Sequence, residues 1–526
     1  MGVYLAITDG TTTVDLSADY IDYSPMAGSP DDEWVTERLT ARFDQGVAGW
    51  RTDIQNIGNL FTQAKKWQRK RTGARVYINL RWATGDDLYR SEIASGLILP
   101  DRNALSRPMA NAATPTYGIF EIELTRRNYW EDDTERSLYV QGFNVTGGTQ
   151  QIYNSYRVTD VTGEAVGTAG AGTVYAGTFL NTPVEAFANP PEIFYSWNSA
   201  ARTATVTAGT AATSGGVIAG SGIASGTINY TNGVWGITFS SAPAGTFTAD
   251  YRYGYGNYID IPGTAVSGDL PAPLKLTYYA RYANMYIGAT YGSAVGFTNT
   301  YEAEAYGTVV NGTATASGGS YISWASSTVE ANLFNLALNN VYLAGNEYYI
   351  PIFFQNIGTS FGGTNTYWRN TFLMGGSFIY TSEQVRFTNT LGINKMPPVT
   401  FHNMEYLDPD GTVTYALYQP RIQKIDDAGS PSIYVDFIQF MPTAGGYTET
   451  FPVNYASGSV TVVDGINERV YHYTPASYNY YDSFADYGWV SAYPGQNNRV
   501  YTLVNLTAPL TATLVSVAYR PRRRVI

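Results

Sequence analysis

Cysteine is absent from the 526 residues, and histidine occurs only twice, at His402 and His472. Without a thiol, a disulfide scaffold, a Cys-ligated zinc or iron–sulfur centre and thiol nucleophilic chemistry are excluded. Two imidazoles cannot supply a three-histidine metal site from one chain. Charge is sparse, at 14% of residues against the ~25% usual in soluble domains. The balance is acidic, −11 at pH 7 with a pI near 4.8. This combination argues against a nucleic-acid binder or a protein that adheres to anionic lipid. No stretch approaches the ~18 uninterrupted apolar residues of a membrane span. The most apolar strand-like run, 432–441, is broken by Asp436, so no membrane insertion is expected. The opening MGVYLAITDG carries Asp9 and has neither a basic n-region nor an apolar h-region. The expectation is a soluble protein assembled in the cytoplasm where it is made.

The charge that is present is unevenly spread. Residues 1–140 hold 16 Lys/Arg and 20 Asp/Glu, 36 of 140 positions or 26%, whereas the other 386 hold 39, or 10%. The first part reads as an ordinary globular domain. The rest is rich in Gly, Thr, Ser, Ala, Asn and Tyr and carries 37 of the 45 tyrosines. That aromatic content excludes disorder, and charge-poor β-structure suits surfaces that meet protein or sugar.

Local patterns divide the chain further. Thr8-Asp9-Gly10-Thr11 marks a hairpin turn within 2–22. Ile54, Ile57, Leu60, Phe61, Ala64 and Trp67 recur at three and four, which predicts a helix over 53–70 with one buried face. Thr52 and Gln55 have capping-box spacing, Lys65, Lys66, Arg69 and Lys70 suit the negative end of the dipole, and Gly73 offers a left-handed stop. Strands are predicted at 74–82 and 117–124. Residues 226–239 alternate as two strands around Asn232-Gly233, which fits a type I′ turn, and 246–253 adds a third. The Gly/Ala/Ser/Thr-rich stretch 208–226 reads as a long loop or weak hairpin. From Tyr258 onward nearly every periodic segment is strand-like: 274–279, 348–355, 413–418, 432–441 and 511–519. A helical turn at 329–338 is the one exception.

The order of elements in 1–140, one amphipathic helix between β-hairpins and a closing Thr125-Arg126-Arg127-Asn128-Tyr129-Trp130-Glu131, resembles tail proteins of long-tailed bacteriophages. It looks most like the distal tail protein that joins tail tube to tail tip. The hairpin 226–239, continuing to Ala242-Pro243 and Tyr251-Arg252-Tyr253, is similar to a β-module common in phage tail and baseplate proteins. The resemblance implies a ring-forming β-sandwich with a helix, usually hexameric, followed by an appended and often carbohydrate-binding-like sandwich. It implies partners in the tail tube and tail hub, contact with host surface glycans, and a place in the virion tail. The long tyrosine-rich region beyond residue 256 departs from a simple connector.

Motifs that suggest chemistry are thin. Gly358-Thr359-Ser360-Phe361-Gly362 fits G-x-S-x-G, but a nucleophile elbow needs a following helix, and Gly363-Thr364-Asn365 and an aromatic strand follow instead. His402 and His472 alternate in strands and read as packed or surface strand histidines. Glu347, Glu405, Asp436 and Glu449 lie in or beside strands without any motif that pairs them for glycoside hydrolysis. Asp408, Asp410 and Gly411 superficially match a calcium loop, but Gln419 stands where its distal glutamate belongs. The loop 478–489 combines aromatic faces with acids and small residues. Tyr478, Tyr480, Tyr481 and Trp489 are therefore the candidate ligand or interface residues, with core packing or self-association the leading interpretation. Arg520, Arg522, Arg523 and Arg524 read as a solvated basic tail or as a match for an acidic patch on a neighbouring subunit.

The expected fold is mainly β: an N-terminal sandwich with one amphipathic helix over 1–140, a hairpin-rich β-module over 141–256, and a large C-terminal sandwich region over 257–526. The expected function is structural, a tail-tip component that forms a ring, with no enzymatic activity, no cofactor, no metal and no nucleic acid. The alternatives are a glycan-binding adhesin-like β-protein and a polysaccharide-degrading enzyme.

Overall fold

The computed structural model describes residues 3–29, 32–44, 49–100, 117–138, 145–146, 149–152, 157–182, 184, 191–208, 215–230, 232–279, 285–296, 299–305, 309–312, 320–325, 330–332, 335–337, 348–355, 366–374, 377–386, 392–400, 405–407, 413–415, 417–424, 432–450, 460–474, 477–481, 483–484, 487–504, 513–524 and 526. The chain is mainly β and separates into two units. One consists of Met1–Arg136, Ser267–Ala272 and Arg520–Ile526; the other of Ser137–Val266 and Pro273–Tyr519. The first unit thus takes strands from both ends of the chain, and the larger unit is an insertion within it.

In the first unit, β1 (Tyr4–Thr8) and β2 (Thr13–Asp15) form the expected hairpin. Asp9 Oδ1 accepts the amides of Thr11 and Thr12 at 2.8 and 2.6 Å, and Gly10 takes the left-handed φ of +86° that the turn requires. The next strands are β3 (Tyr20–Tyr23), β4 (Trp34–Asp44), β5 (Tyr77–Arg81), β6 (Tyr89–Pro100), β7 (Tyr117–Arg127) and β8 (Trp130–Asp132). The sheet order is β2-β1-β5-β6-β7-β4-β3, with β8 paired to β6.

The helix α1 runs Trp50–Lys70 and buries Ile57, Leu60, Phe61 and Ala64 against Leu5, Ile78, Leu80, Ile93 and Leu124 of the sheet. It starts earlier than its capping-box spacing suggested. Trp50 packs on the core, which extends the helix by a turn, and Gly49 is the N-cap with no side-chain cap bond. Thr52 and Gln55 are consequently inside the helix. The stop is Arg71 rather than Gly73: Arg71 adopts φ 53° and its amide donates to Trp67 O at 2.8 Å. Gly96 of β6 is needed for the close approach, because a Cβ there would lie 2.5 Å from the Phe61 ring.

Within the larger unit, residues 157–255 form one curled antiparallel sheet. Its strands are β9 (Arg157–Thr168), β10 (Val174–Thr178), β11 (Glu192–Trp197), β12 (Ala200–Ala208), β13 (Gly215–Ala219), β14 (Ile223–Asn229), β15 (Val234–Phe239) and β16 (Ala244–Tyr255). The order β9-β16-β11-β12-β13-β14-β15-β10 encloses its own core of Ile193, Tyr195, Val206, Ile218, Trp235, Phe239 and Phe247. One detail differs from the sequence expectation. Register places Ile228 opposite Trp235, and the Gly233 amide donates to Asn229 O at 2.8 Å, so the connection is wider than a two-residue type I′ turn. Of the two readings of the Gly/Ala/Ser/Thr stretch, the hairpin is the one found over its described part, β13 pairing with β14 and also with β12.

The remainder of this unit has two further groups of sheets. A nine-stranded sheet contains Thr513–Tyr519, Ala272–Tyr278, Val460–Asp464, Arg469–Thr474 and Ser477–Tyr481 in adjacent positions. A five-stranded sheet orders Tyr258–Ile261, Asn498–Val504, Met285–Tyr291, Tyr447–Thr450 and Ser483–Phe484. The Tyr278 hydroxyl and Thr502 Oγ1 meet between them at 2.8 Å. A separate core unites Tyr301, Tyr349, Ile438 and Phe440 with Trp368, Phe372, Tyr418 and Ile422. Where a helical turn was expected at 329–338, the described residues include two short strands instead. Ala331–Asn332 and Leu336–Ala337 pair with Leu417–Lys424, and Leu336 is buried in that core.

Candidate functional site

The motif 125–131 folds into a structural bracket. Arg126 of β7 forms a bidentate pair with Glu37 of β4, Nε–Oε1 2.7 Å and Nη2–Oε2 2.9 Å, with no solvent exposure on either side chain. The Tyr23 hydroxyl donates to the same carboxylate, and the Arg126 guanidinium lies 4.5 Å from the Trp130 ring. Asn128 holds the preceding loop: its Oδ1 accepts the Gly28 amide at 2.8 Å and its Nδ2 donates to Ser29 O and Asp32 O. Each polar atom of Arg126 and Glu37 has a charge-assisted partner, the condition under which a buried ion pair is tolerated.

The C-terminal arginines are not a solvated tail, and Arg520 and Arg522 find acids within the chain itself. Arg522–Arg523 is a short strand antiparallel to β8, with Arg522 opposite Glu131 and Arg523 opposite Trp130. Arg522 O accepts the amides of Asp269 and Leu270 at 2.9 and 3.2 Å, and the Arg524 amide donates to Asp269 Oδ1 at 3.0 Å. Arg522 Nε is 3.6 Å from Glu131, whose other oxygen already receives two bonds from Arg90. Arg520 bonds the carbonyls of Asp132 and Asp133, and Ile526 packs on the unit's core. Burial pushes the Tyr129 hydroxyl up in pKa against the pull of the Arg522 charge 4.1 Å from its ring. Burial, with the charge of Arg90 adding to it, pulls Arg520 down. The basic run and the motif 125–131 both stood out in the sequence; that the run returns to the end of that motif did not, because no local pattern links positions 388 residues apart.

Three of the four candidate aromatic residues lie on a strand rather than a loop. Tyr478, Tyr480 and Tyr481 are in Ser477–Tyr481, the last strand of its sheet, where register sets Tyr478 opposite Tyr473 and Tyr480 opposite Tyr471. Trp489, half-buried, stands on a different segment fastened to 444–447: Ser491 donates its amide to Gly445 O and Tyr447 its amide to Gly488 O. Gly446, at φ +100°, permits this, since a Cβ would sit 2.5 Å from Trp489 O. Tyr487 beside it is 37% exposed and meets the Tyr447 ring edge-on at 6.4 Å.

The catalytic candidates fare differently. Glu449 is buried, ion-paired with Lys395, and accepts a hydrogen bond from the Tyr447 hydroxyl at 2.7 Å. Asp436 is fully buried between Ser432–Val435 and Phe437–Pro442. His472 is buried opposite Thr461 and Asn479, and Glu405 opens a strand opposite Tyr415. The motif 358–362, His402, Glu347, Asp408, Asp410 and Gly411 lie outside the described residues. Among the described residues no group of three or more His, Cys, Asp or Glu is placed to hold a metal ion, and no helix is long and apolar enough to cross a membrane.

No protein-family model and no curated protein matches the sequence. Among solved structures, the chain is weakly similar to the infectious bursal disease virus Gx strain, at 8% identity over 74% of this chain and 82% of that one, with a TM-score of 0.15. The VP2 subviral particle of infectious bursal disease virus gives the same score and identity, over 70% and 80%. At that score two strand-rich chains overlap without a shared superimposable core, and neither neighbour informs the role of this one.

Proposed function

We propose that this chain is a non-enzymatic structural protein of a virion, a tail-tip component of a long-tailed phage that assembles as a ring. The observation that carries the proposal is the division of labour within the chain. A small, charge-rich unit is braced by buried and half-buried ion pairs and closed by the chain's own C-terminus. It carries a charge-poor β-unit as an insertion. The first unit supplies a rigid platform; the second supplies uncharged strand surface, of the kind that lets many modest contacts sum across a symmetric assembly. The bracket built from 125–131 and the helix packed on its sheet are the features that resemble the distal tail protein. Glu449, one of the carboxylates weighed for hydrolysis, is committed to Lys395 and Tyr447, which supports a structural role over hydrolysis.

Purified full-length protein tests the proposal by native mass spectrometry with negative-stain class averages. A closed ring, six-fold on the strength of the resemblance, is the expected result. Reducing-sugar release from bacterial polysaccharide would instead establish an enzyme.

A further inference from the structure

Charge is segregated inside the first unit. Residues 1–37 hold eight acids and no Lys or Arg, and residues 54–85 hold seven Lys/Arg and no acid. The structure sets exposed members of the two blocks apart. Lys65, Lys66, Arg69, Lys70 and Arg71 are all exposed at the C-terminal end of α1. Gln63 fixes that half of the helix beside the β1–β2 turn, its Nε2 donating to Asp9 Oδ2 at 3.0 Å, and the chain then runs into β5. On the other side, β3 is an edge strand, and the segment after it follows the outer side of β4. There the Met26 amide donates to Glu37 Oε2 at 3.0 Å and the Gly28 amide to Asn128 Oδ1 at 2.8 Å. Asp22, Asp32 and Glu33 are exposed along this edge. β5 and β3 are four positions apart in the sheet order, about 19 Å at ~4.8 Å per strand. That is more than twice the ~8 Å over which physiological salt screens surface charge.

The basic end is unmatched within the copy. Arg38, Arg75, Arg90 and Arg126 each pair with a glutamate of the same unit. Lys65, Lys66, Arg69 and Lys70 form no ion pair among the described residues. The helix dipole favours cations in the last turn, where Arg69 and Lys70 stand. It does not call for Lys65 and Lys66 a turn earlier, which place like charges at i and i+4 against Arg69 and Lys70 and weaken the helix. The acidic edge is also open. Asp22 and Asp32 form no ion pair among the described residues, and Glu33, paired with Arg127, keeps 63% exposure.

We infer that the basic end of α1 in one copy docks on the acidic β3 edge of the next copy. The inference deepens the ring reading proposed above and rests on it. Two different patches that complement each other make a head-to-tail contact, and such a contact, repeated, closes a ring when its rotation allows. Charge complementarity decides the occupant. The patch needs an acidic partner, and the same chain carries one at the other side of the same sheet. Within one copy the two patches are held apart; between copies they can meet. The ionic contact sets direction and register, while the charge-poor strands supply area. Duplex DNA, another polyanion that the cations could take, would leave the acidic edge unused and be repelled by it.

The test reverses each patch in the full-length protein: Lys66→Glu/Lys70→Glu at the helix end, Asp22→Lys/Asp32→Lys at the edge, and all four changes together. The four side chains are exposed, and the melting temperature checks folding; Lys66→Gln/Lys70→Gln is the milder second probe of the helix end. Glu192→Lys, an exposed reversal on the curled sheet, is the control. Mass photometry follows assembly over a range of protein and salt concentrations. Either double reversal is expected to raise the concentration needed for assembly at least about tenfold. The fourfold chain is expected to assemble again, its acidic helix end meeting the basic edge of the next copy. Wild-type assembly is expected to weaken with added salt, and Glu192→Lys to change nothing. If the wild type assembles and the folded reversals assemble equally well, this contact is overturned while self-assembly stands. A folded fourfold chain that fails to recover overturns the pairing of these two patches. Duplex DNA captured by the wild type and lost on Lys66→Glu/Lys70→Glu, with assembly unchanged, assigns the patch to nucleic acid and overturns the inference. If the wild type is monomeric at every concentration, the self-assembly reading falls and this inference with it.

Discussion

Arg499 and Asp260 face each other as a register pair on adjacent strands, Nε–Oδ1 2.7 Å and Nη2–Oδ2 3.0 Å, both essentially without exposure. The Arg499 guanidinium also lies 3.8 Å from the Tyr258 ring. Burial works against the charged arginine, but the carboxylate of Asp260 overrides it and holds its pKa well above the ordinary value. Asp260→Asn leaves an uncompensated buried cation and is expected to cost ~3–5 kcal/mol. The double variant Asp260→Asn/Arg499→Gln is expected to recover part of that loss. Urea unfolding of the two variants checks the pair, and a single-variant loss under about 1 kcal/mol would count against it.

Arg522 closes the first unit onto Glu131, so the chain's last residues are structural. Truncation after Tyr519 removes the main-chain bonds to Asp132, Asp269 and Leu270 and the core contact of Ile526. Near-ultraviolet circular dichroism and fluorescence from buried Trp130 are expected to show a loosened first unit. A conservative Arg522→Lys change keeps charge but loses the planar stacking on Tyr129, and is expected to cost about 1 kcal/mol.

Glu330 bridges two arginines that stand directly opposite each other, Arg369 and Arg421, with Arg369 Nη2 at 2.5 Å and Arg421 Nη1 at 3.3 Å. Burial raises its pKa, but the hydrogen bonds and charges of Arg369 and Arg421 together hold it below the ordinary 4.5. A depressed carboxylate stabilises the fold above its unfolded-state pKa and loses that contribution as pH falls through the folded value. Glu330→Gln is therefore expected to be less stable by about 1–3 kcal/mol at pH 7. The gap to wild type is expected to close as the pH drops below the usual carboxylate range. A gap independent of pH would contradict the ionic origin.

Gly96 sets how closely α1 lies on its sheet. Gly96→Ala drives a methyl group into the Phe61 ring and is expected to cost ~1–3 kcal/mol by overpacking. Gly236→Ala, where the nearest heavy atom to a Cβ is 3.9 Å away, is expected to be tolerated. Thermal unfolding of the two variants side by side distinguishes steric contact from a general glycine effect.

What the sequence made legible was local. Ile57, Leu60, Phe61 and Ala64 recur with a helical period because they share one buried face, and Asp9-Gly10 carries its turn chemistry in two residues. The failures are non-local. The start of α1 moved because Trp50 finds the core, a tertiary contact that outweighs cap spacing. The pairs Arg126–Glu37 and Arg499–Asp260 span 89 and 239 residues, and no periodicity announces them. Arg522 looked like a tail because its partner, Glu131, belongs to the opposite end of the chain. Among the site candidates, Tyr478, Tyr480 and Tyr481 were selected for composition. The structure gives them a strand register, and Trp489 a different segment.

The central claim is self-assembly through an inserted, charge-poor β-unit. Native mass spectrometry of the purified full-length chain, with class averages of the same sample, tests it most directly. The account predicts a closed ring of identical copies. A single species at 57.5 kDa, unchanged across concentration and in the presence of tail-tube and hub proteins, would contradict it.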